Sequence, residues 1–166
     1  MLMWFPFRRA HPWNSVAPLV LLLGMLVLLP QSAGSTDSSN FVTGQASNTK
    51  STLMSIQFRT PQNGWVVGTG GTILKTADGG KKWKRAVSGT SALLTCVFFA
   101  DSLTGWVTGA GGFLSHTTNG GESWLPQHLD TQQALYAVYF TSSDVGWVVG
   151  GAGTILRTTD GGQHWA

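Results

Sequence analysis

Three side chains recur in one setting: Asp78, Asn119 and Asp160 each follow a threonine by two residues and precede a tryptophan by five. The segments read Thr76-Ala77-Asp78-Gly79-Gly80-Lys81-Lys82-Trp83, Thr117-Thr118-Asn119-Gly120-Gly121-Glu122-Ser123-Trp124 and Thr158-Thr159-Asp160-Gly161-Gly162-Gln163-His164-Trp165. A carboxylate in such a place has two chemistries open to it. It can ligate a cation or trade protons, or it can accept the N–H groups of its own turn. The glycines supply positive φ, and the tryptophan buries a large apolar surface between neighbouring units. A fold-stabilising turn is the better reading. Asn119 keeps the acceptor oxygen but not the charge, so the middle turn is expected to be weaker.

Other chemistry-bearing residues are sparse. His11 lies in a leader, and His116, His128 and His164 are scattered. His116 occupies the same repeat position as Lys75 and Arg157, and His164 that of Lys82 and Ser123, so both read as solvated surface. Cys96, the single cysteine, aligns with Ser55 and Ala137 and reads as a buried structural thiol; alone it forms no internal disulfide and no cysteine-based zinc site. Gly68-Thr69-Gly70 begins like a dinucleotide fingerprint, but Ile73 replaces the last glycine and no helix follows, so it is a hairpin turn. No cofactor or metal is expected.

The elements that hold these residues follow from a 41-residue repeat. Trp83, Trp124 and Trp165 are 41 apart, as are Trp65, Trp106 and Trp147, and Phe58, Phe99 and Phe140. Between Leu53 and Trp83, 11 of 31 positions are identical in all three copies, which sets the period beyond accident. Each copy contains a β-prone segment (Leu53–Phe58), a polar turn, a second strand (Gly64–Gly68), a Gly-rich reversal and a third strand (Thr72–Thr76). The Asp or Asn turn follows, and a fourth strand starts at the tryptophan. No 3.6-residue period appears after the leader. Four short strands per repeat is one propeller blade. The fold class expected is therefore all-β: three four-stranded β-propeller blades, an incomplete ring, after an N-terminal signal or anchor helix.

The turns resemble the Asp-box, S/T-x-D-x-G-x-x-W, carried here by Thr76, Asp78, Gly80 and Trp83, by Thr117, Asn119, Gly121 and Trp124, and by Thr158, Asp160, Gly162 and Trp165. The whole unit, F-x5-G-W-V-x-G-x2-G-x4-T-x-D/N-G-G-x2-W, is similar to that of the photosystem II stability/assembly-factor family, over Leu53 to Trp165. That resemblance implies an exported propeller of BNR-type repeats, seven-bladed in the family. It also implies an assembly chaperone of the thylakoid lumen, which binds a newly inserted reaction-centre protein and its neighbours. The family's arginine-rich face makes Arg59, Lys75 and Arg157 the candidate partner-binding residues, the last two forming part of a basic band. A photosystem or other membrane-complex subunit is the expected partner. The alternative is a cell-envelope module recognising protein or glycan. Asp-boxes also occur in sialidases, so a hydrolase fragment is the weaker rival. Such a site needs three clustered arginines and paired carboxylates, whereas Glu122 is the only glutamate. Tyr136 and Tyr139 lie in an alternating strand, and at least one is expected in the core. The protein is thus expected to be no enzyme.

Residues 1–34 read as a signal peptide or signal anchor: Arg8 and Arg9, an apolar run over 16–29, then Pro30 and small residues. That run is shorter than the ~20 residues of a spanning helix. Export to periplasm, thylakoid lumen or extracellular space follows, with a membrane tether if the leader stays. Residues 35–52 form a polar linker, and 53–166 the propeller domain. Without the two leader arginines the net charge of +3 falls to +1, so nucleic acid is no expected partner. Charged residues make up 10% against a usual ~25%, while 42% are hydrophobic, which excludes a disordered chain. Three blades do not close a ring. A truncated or partial sequence is the first expectation. The other is a strand at 42–50, aligned with the fourth strands, that completes another copy's third blade and makes a homodimer.

Overall fold

The computed structural model describes residues 44–166. The leader and the start of the linker lie outside the described residues. The first sheet runs β1 (Leu53–Phe58), β2 (Gly64–Gly68), β3 (Thr72–Thr76), β4 (Lys84–Ala86), each strand antiparallel to the next. The second repeats it with β5 (Leu94–Phe99), β6 (Gly105–Gly109), β7 (Leu114–Thr117) and β8 (Leu125–Gln127). The third holds β9 (Leu135–Phe140), β10 (Gly146–Gly150) and β11 (Ile155–Thr158). At its outer edge Ala166 and Arg157 exchange backbone hydrogen bonds of 2.7 and 3.0 Å. These are the expected all-β blades.

Burial follows the role of each strand. All five residues of β2 (GWVVG) and of β6 (GWVTG) are buried; β6 lies between two neighbouring sheets, whereas β2 has blade two on one face. The outer strands are short and polar, with Lys84 and Arg85 exposed. The innermost strands carry an irregularity, between Leu53 and Ser55 and again between Leu94 and Cys96. Such a bulge re-aims side chains that a strict period of two would send to the other face. In β5 it brings Leu94, Val97 and Phe99 onto one side, all nearly inaccessible to solvent.

The core therefore lies between blades. Trp65, Val67 and Ile73 of blade one pack on Leu94, Val97 and Phe99 of blade two. Trp106 and Leu114 of blade two meet Leu135, Val138, Phe140 and Val148 of blade three in the same way across the second seam. At each seam the strand-two tryptophan stacks face to face on the next blade's phenylalanine. The ring centroids are 3.8 Å apart for Trp65–Phe99 and 3.6 Å for Trp106–Phe140, with planes within 18°. The same phenylalanine receives its own Asp-box tryptophan edge-on: Phe99–Trp124 and Phe140–Trp165 both at 5.8 Å. Gly105 is required beside this stack, because a Cβ there would lie 2.7 Å from the Phe99 ring.

Three expectations need correction. The Asp-box tryptophans are not the chief seam residues. Only Trp124 is fully buried, whereas Trp83 and Trp165 are half-buried, and the face-on contact belongs to Trp65 and Trp106. Tyr136 and Tyr139 are both exposed, at 58% and 60%, as are Val149 and Ile155 of the same blade, because no further sheet among the described residues packs on blade three. Residues 44–50 form no strand, and 42–43 lie outside the described residues. A strand there needs the third strand of a preceding blade to pair with, and no such strand is among the described residues. The segment nevertheless takes that strand's place. Thr69 N–H donates to Thr52 O at 2.9 Å, and Gln45 packs on Gly80 as Gln127, its counterpart 82 residues on, packs on Gly162.

The stacks yield a stability test. Trp106→Ala empties a dry seam and should cost roughly 3–5 kcal/mol in urea unfolding. Trp147→Ala, at the equivalent but half-exposed position of blade three, should cost less than about half of that. Equal losses would mean that the stacks do not carry the seam.

Candidate partner-binding surface

The three Asp-boxes close on themselves. Thr76 Oγ1 donates to Asp78 Oδ1 at 2.9 Å and accepts from Gly80 N–H at 2.9 Å, and Lys82 N–H donates to Asp78 Oδ1 at 2.9 Å. Asp160 repeats the pattern with Thr158 (2.8 Å) and the N–H groups of Gln163 and His164 (both 3.0 Å). These bonds hold both carboxyls below the usual range. The His164 N–H and imidazole pull Asp160 furthest, and the Lys82 N–H leads for Asp78. Asn119 takes the same bonds from Thr117 (2.8 Å) and Ser123 N–H (3.0 Å), and its amide adds one to Ser123 Oγ at 2.8 Å. The middle turn thus loses a charge but gains a donor contact, and its geometry is not looser. The boxes also dock on the preceding blade, since Trp65 Nε1–H donates to Gly120 O at 3.0 Å. Gly121, at φ +83°, leaves that indole room: a Cβ would stand 3.0 Å from its nitrogen.

The basic band dissolves into blade architecture. Lys75, His116 and Arg157 are the direct cross-strand partners of Trp65, Trp106 and Trp147. Each therefore shares a sheet face with an indole. His116 stacks on Trp106 at 4.8 Å, so Trp106 is sandwiched between an imidazole and Phe140. The guanidinium of Arg157 sits 5.8 Å from the Trp147 ring, within cation–π range. Lys75 Nζ is spent on Glu122 Oε1 at 2.5 Å, across the first seam, and this ammonium lowers the Glu122 carboxyl. His116 is thus not solvated surface: it is half-buried, its Nε2 has no partner, and burial lowers its pKa. His164 and His128 are exposed, as expected. Cys96 is half-buried against the second seam.

Arg59 behaves differently. It is exposed, it forms no ion pair among the described residues, and it lines a groove with Phe98, Ala100, Asp101 and Tyr139. Asp101 Oδ1 accepts the N–H groups of Leu103 and Thr104 at 2.7 and 2.8 Å. Its pKa stays low although burial opposes this, helped by the Arg59 charge. The structure does not gather Arg59, Lys75 and Arg157 into one patch. The aromatic pair Phe98 and Tyr139 beside Arg59 was missed in sequence. The signal was there: both occupy the repeat position of Gln57, and only neighbouring blades reveal that they meet.

His116 gives a pH signature. Its folded-state pKa lies below the ordinary 6.5, so protonation is harder in the folded chain. Its contribution is complete above that value and is lost as pH falls through the lowered one. Melting temperature should decline below about pH 6.5, and His116→Phe, which keeps the stack, should flatten that decline. An unchanged profile would refute a titrating His116. The carboxyls of Asp78 and Asp160 act only later, below their ordinary 3.8.

Comparison with known proteins matches this geometry. A search of curated proteins finds no match. A solved structure described as YCF48 bound to D1 peptide is 28% identical, with a TM-score of 0.64, over 71% of this chain and 40% of that one. YCF48 from Cyanidioschyzon merolae is 27% identical, with a TM-score of 0.63 and the same coverage. This chain therefore spans two fifths of the length of either YCF48 chain. The GH74 enzyme of Niastella koreensis shares the fold alone, at 19% identity and a TM-score of 0.54 over 69% of this chain and 22% of that one. The family model described as Photosynthesis system II assembly factor YCF48 matches residues 35–132 and 122–166. The stacked seams and all three Asp-boxes thus fall within that model, and the chain belongs to the photosystem II assembly factor YCF48 family.

Proposed function

We propose that the chain is a non-catalytic β-propeller scaffold that holds a segment of a membrane protein while photosystem II is assembled. The observation that carries this reading is the family match over residues 35–132 and 122–166, joined to the likeness to a YCF48 that holds a D1 peptide. The site chemistry agrees. One oxygen of each Asp-box carboxylate is taken by its own turn, and Glu122 is engaged by Lys75. What the surface offers instead is polar and aromatic contact area. The leader read at 1–34 places the blades on the far side of a membrane, where the exposed segments of a newly inserted subunit would be met. Residues 35–52 link the leader to the blades at 53–166.

Binding of a fluorescein-labelled synthetic D1 peptide by the full chain tests the reading, with C. merolae YCF48 as positive control. Saturable anisotropy with both proteins is expected. Binding by the control and none by this chain would refute the proposal.

A further inference from the structure

The groove beside Arg59 runs along the end of the innermost strands at the seam of blades two and three, and has a volume of about 360 Å³. Its floor is the tilted pair Phe98 and Tyr139, with ring centroids 5.3 Å apart and planes at 60°. Arg59 reaches it from blade one, over Ala100, the methyl-sized residue that fills the corresponding position in blade two. Asp101 stands on the same wall, and Ser142 closes the far end.

The lining differs from the stacked centre of the seam. There the copies agree: Phe58, Phe99 and Phe140, and Gly64, Gly105 and Gly146. The groove is built almost wholly from positions where the copies differ: Gln57, Phe98 and Tyr139; Arg59, Ala100 and Thr141; Thr60, Asp101 and Ser142. Packing does not demand these side chains, since the other copies fold without them. Tyr139 keeps 60% of its surface in solvent while its ring meets Phe98 across the seam.

The charges select the ligand. Arg59 offers donors only, and the Asp101 carboxylate, fixed by two backbone N–H groups, offers acceptors. A ligand carboxylate at Arg59 would also meet Asp101. An amide suits both, its C=O accepting from Arg59 and its N–H donating to Asp101. The aromatic floor then takes an apolar side chain next to that amide.

Resting on the reading of the previous subsection, we infer that this groove is the peptide-docking site: it takes an extended, uncharged stretch of a partner polypeptide. Arg59 and Asp101 grip one backbone amide of that stretch, and an aromatic or proline side chain lies on Phe98 and Tyr139. Because Arg59 and Asp101 balance, affinity depends little on ionic strength. A simple basic patch would lose affinity steeply with salt.

The test titrates the same labelled peptide against the full chain and its Tyr139→Ala, Arg59→Ala and Lys75→Ala variants. The first two side chains are exposed, so their melting temperatures should match the parent's and report any misfolding separately. Tyr139→Ala and Arg59→Ala should each weaken binding by roughly tenfold, with Lys75→Ala unchanged. A tenfold rise in salt should alter parental affinity by less than about threefold. Parental binding that both groove variants leave intact would overturn the groove and spare the assembly-factor reading. So would a steep salt dependence with loss only in Lys75→Ala. Failure of the parent to bind, with the YCF48 control binding, would overturn both. Capture of a neutral cello-oligosaccharide in the groove instead of the peptide would overturn the assignment to a polypeptide.

Discussion

The structure depends on a phenylalanine held between two indoles at each of its two seams. Phe99 lies flat on Trp65 of the preceding blade and takes Trp124 of its own Asp-box on edge. Phe140 does the same with Trp106 and Trp165. The edge-on contact is a geometry that ring quadrupoles favour, and the face-on contact buries the full ring between blades. Much else in the repeat serves this contact. The glycine opening strand two leaves room for the ring, the second glycine of the box leaves room for the indole, and the carboxylate fixes the turn that aims the box tryptophan. A seam of this kind transmits position. A side chain on an innermost strand is placed by two blades at once, and the groove depends on that precision.

The repeat makes the division between architecture and function visible. Eleven positions of thirty-one never change, and the stacked phenylalanine, the strand-two tryptophan, and the threonine, glycines and tryptophan of the box are among them. The basic position before each box looked like surface chemistry because lysine, histidine and arginine share it. Its partner across the sheet is always the strand-two tryptophan, and a cation or an imidazole is a good neighbour for an indole face. The charge at that position therefore belongs to the packing of the sheet, whereas Arg59, where the other copies have alanine and threonine, is free for something else.

Sequence alone exposed the fold well, for a physical reason. Tight turns need glycine, box turns need a short polar acceptor, and the seam needs aromatic rings, so each requirement leaves a residue type at a fixed spacing. Strand bounds followed to within a residue or two, and the Asp-box bonds were legible down to the accepting oxygen. Less was visible of the seam. Trp65 and Phe99 are 34 residues apart, and nothing in a 41-residue period says which aromatic faces which. The bulge in the innermost strand was hidden too, so the faces of Tyr136 and Tyr139 could not be assigned by counting in twos. The groove was least visible of all, because it joins residues of three blades.

A repeat protein diversifies where its copies need not agree. Each blade must present a matching face to its neighbour, so a substitution at Trp65 or Phe99 damages a seam, whereas one position at the mouth of the innermost strands accepts glutamine, phenylalanine and tyrosine. Specificity therefore accumulates at those mouths, and identical copies become non-identical in the place where they converge. Gln57, Phe98 and Tyr139 show the outcome in one register position. In blade one the side chain hydrogen-bonds the next strand's backbone at Phe99, and in blades two and three it becomes an aromatic floor. The same Cα frame carries a structural amide in one blade and a binding surface in the next two, and the neighbours that each blade meets decide which.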